Sequence, residues 1–145
     1  VTIARLACRE DREPIERLAS TFGTSFAFDL DAFRRTYSHH IDSKHSILLV
    51  AEQNAIIVGY LLAFRHETFF ANGTVVWIEE IMVDTTVRRQ GIGRLLMTHL
   101  EQQAQNSGYR LIALSTRRAA DFYLALGYEA SAQYFHKRLP PSRTL

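Results

Sequence analysis

The stretch VDTTVRRQGIGRLLM, residues 83–97, sets Arg88, Arg89, Gln90 and Arg94 around the pair Gly91 and Gly93. It lies between a strand-like apolar run and a helix-like one. Glycines without side chains let a phosphate reach the backbone, where unpaired N–H groups and the positive end of a helix hold it. Two phosphate motifs do not fit. A Walker-type loop needs Lys and Ser/Thr after its last glycine, and here Arg94 and Leu95 follow Gly93. A dinucleotide fingerprint needs a third glycine where Leu96 stands. What remains is Arg-x-x-Gly-x-Gly opening a helix, with an ordinary strand-to-helix turn as the alternative. Just upstream, TVVWIEEIMV carries Glu79 and Glu80 inside an otherwise apolar run. Buried carboxylates are costly and need a reason. Adjacent strand residues point to opposite faces, so only one of the pair would reach a site on a given face.

The elements that must position these residues follow from periodicity. TIARLAC alternates as a strand, and DREPIERLAS reads as a helix with Asp11 as cap, Pro14 in its first turn and Ile15, Leu18 and Ala19 on one face. TFGTSFAF breaks at Gly23 and leads to a second helix over about 29–40. SILLVAEQ and IIVGYLLAFRH read as strands joined through Gln53-Asn54. ETFFANG is a turn, and TVVWIEEIMV is the next strand. From Ile92, apolar residues recur at Leu95, Leu96, Leu100 and Ala104, one face of a helix that Ser107-Gly108 ends. LIALS is a short strand suited to burial on both faces. RAADFYLAL is a helix stopped by Gly127, and AQYFHKRL is a last strand before Pro140-Pro141. The order β α α β β β α β α β predicts an α+β fold with a mixed sheet, antiparallel in its first half and parallel where strand–helix–strand units follow.

Length, charge and cysteine content narrow the class. A chain of 145 residues with 47% hydrophobic and 22% charged residues is expected to form one globular domain, 1–145. The net charge of +2 suits an anionic small molecule, but no dense Lys/Arg block suggests nucleic acid. No apolar run approaches the about 18 residues of a membrane span, and VTIARLACRE has no signal-peptide pattern. A single cysteine, Cys8, excludes an internal disulfide and fits a cytoplasmic protein. The histidines at 39, 40, 45, 66, 99 and 136 lack zinc-site spacing, so no metal is expected.

The glycine turn resembles motif A of the GNAT superfamily of N-acetyltransferases, Gln/Arg-x-x-Gly-x-Gly/Ala after a strand. RAADFYLALGYE is similar to the A-x-x-F-Y-x-x-x-G-F/Y segment of that family, and WIEEIMV to the strand of its members that acetylate small amines. FYLALGYEASAQYFHKRL is similar to the ends of aminoglycoside and aminoalkylphosphonate N-acetyltransferases. The resemblance implies a GNAT fold: a mixed, mostly antiparallel sheet flanked by about four helices, with a parallel strand pair splayed around acetyl-CoA. It implies that Arg88, Arg89, Gln90, Gly91, Ile92, Gly93 and Arg94 hold the pyrophosphate of acetyl-CoA. It also implies that the backbone of Ile81, Met82 and Val83 pairs with the pantetheine arm. Thr116 stands where many members carry an asparagine that contacts that arm, and Thr85 where many carry proline.

Acetyl transfer to an amine needs a neutral nitrogen, a polarised thioester carbonyl and a proton for the departing thiolate. Glu79 and Glu80 are the candidate bases, with Glu79 aligned to the glutamate of the small-amine pattern. A bulge in this strand, which the family carries, would change which of them faces the site. Tyr123 is the candidate acid, since a phenol titrates at about 10, close to an alkyl thiol. Direct attack in a ternary complex makes no demand on Cys8. By resemblance the acceptor lies against Phe22, Phe26, Phe28, Phe69, Phe70 and Trp77. The expected activity is transfer of an acetyl group to a primary amine of a small molecule. The alternatives are acetylation of a protein N-terminus or lysine, and a non-catalytic CoA-binding module. No nucleic acid or membrane partner is expected, and a homodimer is left open.

Overall fold

In the computed structural model, which describes residues 1–22 and 26–142, two apolar segments pair antiparallel, from Ser46 opposite Phe64 to Gln53 opposite Ile56. They are β2 (Ser46–Gln53) and β3 (Ile56–Thr68). They are joined at Asn54 and Ala55, both in the left-handed region with φ of 52° and 66°. That backbone suits a two-residue hairpin because its twist matches that of the strands. The tight turn therefore sits one residue later than Gln53-Asn54. β1 (Thr2–Leu6) adds antiparallel to β2, and β4 (Gly73–Val83) antiparallel to β3. β5 (Leu111–Leu114) joins β4 in parallel, giving a five-stranded sheet in the order β1-β2-β3-β4-β5.

Helices cover the sheet because its apolar residues alternate between the two faces. On one face, Leu48, Val50, Tyr60 and Met82 pack with Ile15 and Leu18 of α1 (Arg12–Ser20) and Tyr37 of α2 (Leu30–Asp42). Leu49 and Leu61 alternate with them and are fully buried. The long helix α3 (Ile92–Asn106) packs on β1 to β4 and buries Ile92, Leu96, Met97, Leu100 and Ala104. Asn106 is followed by Ser107 and then Gly108 at φ +71°, as the glycine stop predicts.

Asp11 stands at the cap position of α1, but its side chain turns backward. It accepts from the Cys8 N–H at 2.9 Å and from both terminal nitrogens of Arg5, at 2.8 and 3.0 Å. Burial opposes its charge, yet the hydrogen bonds from Arg5 and Cys8 prevail and hold its pKa below the usual carboxylate range. Asp29 does cap α2, accepting from the Ala32 N–H at 3.0 Å. The break expected at Gly23 lies outside the described residues.

The chain divides into two units, Val1–Leu114 and Ser115–Leu145. The second holds α4 (Ala120–Ala125), followed by Gly127 at φ +93°. Two expectations need correction. β5 is not buried on both faces: Leu111 is exposed and the other residues are half-buried, because the strand is at the sheet edge with β4 as its one neighbour. AQYFHKRL forms no strand. Residues 132–139 belong to no sheet, and Tyr134, Phe135 and Leu139 are exposed. Residue type can make a segment strand-competent, but only an adjacent strand supplies the ladder hydrogen bonds.

Candidate acetyl-transfer site

Glu79 and Glu80 are separated by an irregularity in β4. Leu62 pairs with Glu80 and Ala63 with Ile78, so Glu79 is an extra residue with no opposite number on β3. Such a bulge shifts the alternation of the strand on one side of it. Glu79 is exposed, and its Oε2 accepts from the Trp77 indole N–H at 3.2 Å. Glu80 is half-buried, and its Oε1 accepts from the Tyr60 hydroxyl at 2.8 Å. Burial, with the adjacent Glu80 charge, pushes the Tyr60 phenol far above its usual range, so it stays a donor to that carboxylate. Two adjacent glutamates thus have different surroundings. One is held at the surface and the other lines a cavity.

That cavity has a volume of about 440 Å³ and lies between the α1/α2 layer and the sheet. Along α2, Phe33, Tyr37 and His40 recur at i, i+4 and i+7 and present one aromatic face to it. Phe28 stacks on Phe33 at 5.7 Å and Phe33 on Tyr37 at 5.8 Å, a run of tilted rings. Leu48, Tyr60, Leu62 and Glu80 form the floor contributed by the sheet. His40 hydrogen-bonds Ser46 Oγ through Nδ1 at 2.8 Å. Burial, helped by neighbouring His39, lowers its pKa and favours the neutral ring. Of the aromatics expected around an acceptor, Phe22, Phe26 and Phe28 line this cavity. Phe69 and Phe70 do not: both are exposed on the turn between β3 and β4. Trp77 is instead engaged with Glu79.

Beyond the bulge, β4 parts from its parallel neighbour. The last pair of β4 with β5 is Ile78 with Leu114, while β4 continues through Ile81, Met82 and Val83. Antiparallel pairing with β3 satisfies one side of this segment, up to Val83 opposite Gly59. The β5 side has no strand beside it. Gly59 permits the close approach here, since a Cβ would lie 3.0 Å from the Met82 carbonyl oxygen and 3.3 Å from Ile92 Cγ2. After Val83, a 3-10 turn (Thr85–Val87) is capped by Asp84, which accepts from the Thr86 N–H at 2.9 Å. Arg88 Nε then donates to the Val83 carbonyl at 3.2 Å.

The glycine turn has the features that a phosphate needs. Gly91 is the N-cap of α3 at φ +79°, and a Cβ added there would meet nothing within 4 Å. The first-turn N–H groups of Ile92, Gly93 and Arg94 have no partner within the helix. No acidic residue lies in that turn to neutralise the positive helix end. Arg88, Arg89 and Arg94 are exposed, and Gln90 receives a hydrogen bond of 3.4 Å from Gln53. Within Val1–Leu114, β4 therefore runs from the cavity that Glu80 lines, along its open edge, towards the turn.

Thr116 and Tyr123 belong to the second unit. The Thr116 hydroxyl accepts from the Ala119 N–H at 3.1 Å, ahead of α4. Tyr123 is buried, with its ring edge-on to Phe122 at 5.0 Å and to Tyr128 at 5.9 Å. Burial raises its pKa, which keeps the phenol protonated. Among the described residues no cluster of three or more His, Cys, Asp or Glu could hold a metal, and no helix is long and apolar enough to cross a membrane. Residue patterning missed Phe33, Tyr37, His40 and Tyr60 as wall residues. The helical spacing of the first three was a readable signal, but nothing in the sequence aimed Tyr60 at Glu80.

Comparison with known proteins assigns the class to which this fold belongs. The chain belongs to the acetyltransferase (GNAT) family, whose model matches residues 8–128. It is 32% identical over 116 residues to the aminoalkylphosphonate N-acetyltransferase of Salmonella typhimurium, covering 77% of this chain and 75% of that protein. Family and relative make it an acyltransferase of the N-acetyltransferase kind. Solved structures share the fold at lower identity. A transcriptional regulator from Bacillus halodurans superimposes with a TM-score of 0.88 at 23% identity, over 96% of this chain and 100% of that one. The aminoglycoside N-acetyltransferase AAC(6')-Iy, solved with CoA, does so with a TM-score of 0.84 at 19% identity, over 96% and 95%.

Proposed function

We propose that the chain, working as one catalytic domain over residues 1–145, transfers the acetyl group of acetyl-CoA to a primary amine of a small molecule. The observation that carries this is the placement of Glu80. It lines the cavity between the α1/α2 layer and the sheet, on the strand whose unpaired edge leads into the glycine turn. The family supports acetyl-CoA as the acetyl donor. Ile92, Gly93 and Arg94 N–H groups, with Arg88, Arg89 and Arg94 charges, would hold the pyrophosphate. Gln90 frames the turn, and Gly91 keeps it open. Ile81, Met82 and Val83 offer backbone groups to the pantetheine amides and the thioester oxygen, and Thr116 is the further contact to that arm.

In this mechanism Glu80 takes the proton of the bound ammonium, directly or through one water. The amine then attacks the thioester carbon, and Tyr123 protonates the leaving thiolate. Glu80 fits the base role better than Glu79, because it faces the cavity while Glu79 is exposed and bonded to Trp77. A cavity also favours a small acceptor over a protein segment, which needs a groove open at both ends.

A thiol-release assay with acetyl-CoA and an accepted amine tests the assignment. Glu80→Gln should lower kcat by about 10²–10⁴-fold, the usual worth of a general base. Glu79→Gln should remain within about threefold of wild type, well short of that range. The reverse ranking would move the base to Glu79. Equal activity in both variants would remove the pair from the chemistry.

A further inference from the structure

The charged groups around the cavity define its ligand more narrowly. Among its described lining residues there is no lysine or arginine, and His40 is the sole basic group. Its ring is half-buried, bonded to Ser46 and favoured in the neutral form. Asp29 and Glu80 are the acidic groups, and the Asp29 carboxylate already caps α2. Asp29 is exposed, which leaves Glu80, itself accepting from Tyr60, as the half-buried carboxylate facing a wall of Phe22, Phe28, Phe33, Tyr37 and Leu62. A volume of about 440 Å³ is near the small end of ligand sites.

We infer that the acceptor is a compact monoamine with an apolar, ring-sized body, its ammonium at Glu80 and its body against the aromatic wall. This rests on the acetyltransferase reading above and deepens it. A single cation is matched by one carboxylate and by ring faces, which attract cations. An apolar body gains from burial against the aromatic and aliphatic wall. A polycationic amino sugar would leave further ammonium groups without partners, and desolvating an unpaired charge is costly. An aminoalkylphosphonate, on which the Salmonella relative acts by name, would bring a dianion that calls for arginine or lysine donors. The cavity of this chain has none among the described residues.

The test uses three probes with the whole chain: 2-phenylethylamine, 2-aminoethylphosphonate and kanamycin. Acetyl-CoA binding is measured first by calorimetry, then binding of each amine to the CoA-loaded protein, then thiol release. 2-Phenylethylamine should exceed both other amines at least about tenfold in kcat/KM, a difference of about 1.4 kcal/mol. Either of the other two probes matching it, or no binding of 2-phenylethylamine to the CoA-loaded protein, overturns the inference while leaving acetyl-CoA binding intact. Loss of acetyl-CoA binding itself would instead remove the acetyltransferase reading. Thr36→Arg adds a cation at an exposed lining position of α2. It should weaken 2-phenylethylamine and strengthen the phosphonate several-fold each, with circular dichroism unchanged. An unaltered preference in that variant also counts against the inference.

Discussion

Single residues show how much environment adds to residue type. Glu79 and Glu80 are chemically identical, and the bulge gives one to solvent and the Trp77 indole, the other to the cavity and the Tyr60 hydroxyl. Tyr123 is the complementary case: its type suits a proton donor, and burial keeps the phenol protonated. Tyr123→Phe keeps the ring, and with it the packing on Phe122 and Tyr128, but removes the donor. The variant should lose about 10²–10⁴-fold in kcat at saturating acetyl-CoA. That corresponds to about 3–5 kcal/mol of transition-state stabilisation. CoA affinity should change little. Turnover within about threefold of wild type, far from that range, would make Tyr123 a packing residue and leave water to protonate the thiolate.

At the scale of elements, the turn before α3 joins a left-handed glycine to an open helix N-terminus. Gly91 sits at φ +79° with open space where a side chain would project. Gly91→Val would force a β-branched residue into the left-handed region, at about 1–3 kcal/mol of strain, and fill the space a phosphate needs. CoA should bind at least about tenfold more weakly, equivalent to 1.4 kcal/mol, while the far-ultraviolet spectrum stays that of the wild type. Unchanged CoA affinity would mean that the turn serves the fold alone. The elements around it were legible in the sequence because each carries a strong period. SILLVAEQ matches β2 residue for residue, and the apolar face from Ile92 matches α3. What periodicity cannot express was not legible. No residue type announces that Glu79 is an extra residue in its ladder, since a bulge depends on how the partner strand is satisfied. Residues 132–139 include the strand-prone pair Tyr134 and Phe135, yet they lie outside the sheet, because residue type says nothing about whether a neighbouring edge is present. The cavity was half legible: Phe22, Phe26 and Phe28 come from one segment, whereas Tyr60 and Leu62 reach it only through strand pairing.

For the molecule as a whole, the small net charge of +2 is less informative than where positive charge collects. Three arginines flank one helix N-terminus that has no acidic residue in its first turn, a combination suited to a polyanionic ligand at one place on the surface. Three common nucleotide-bearing ligands offer phosphates to such a turn, and they separate by what else the chain provides. NAD would need the third glycine and the ribose-binding acid that are missing, and ATP would need the lysine and hydroxyl of a Walker loop. The pantetheine arm of acetyl-CoA asks for exposed strand backbone, which β4 supplies where it parts from β5. Acetyl-CoA at about 100 times its dissociation constant should therefore add about 2.7 kcal/mol of stability by mass action. In a domain of this size that is a rise of roughly 5–10 °C in Tm, and NAD or ATP at the same concentration should give far less. A thermal-shift series in which ATP or NAD outranks acetyl-CoA would remove the glycine turn from the acyl-CoA site. The same series with CoA lacking its acetyl group should give nearly the full shift, because all the proposed contacts except that to the thioester oxygen fall on the pyrophosphate and the pantetheine arm.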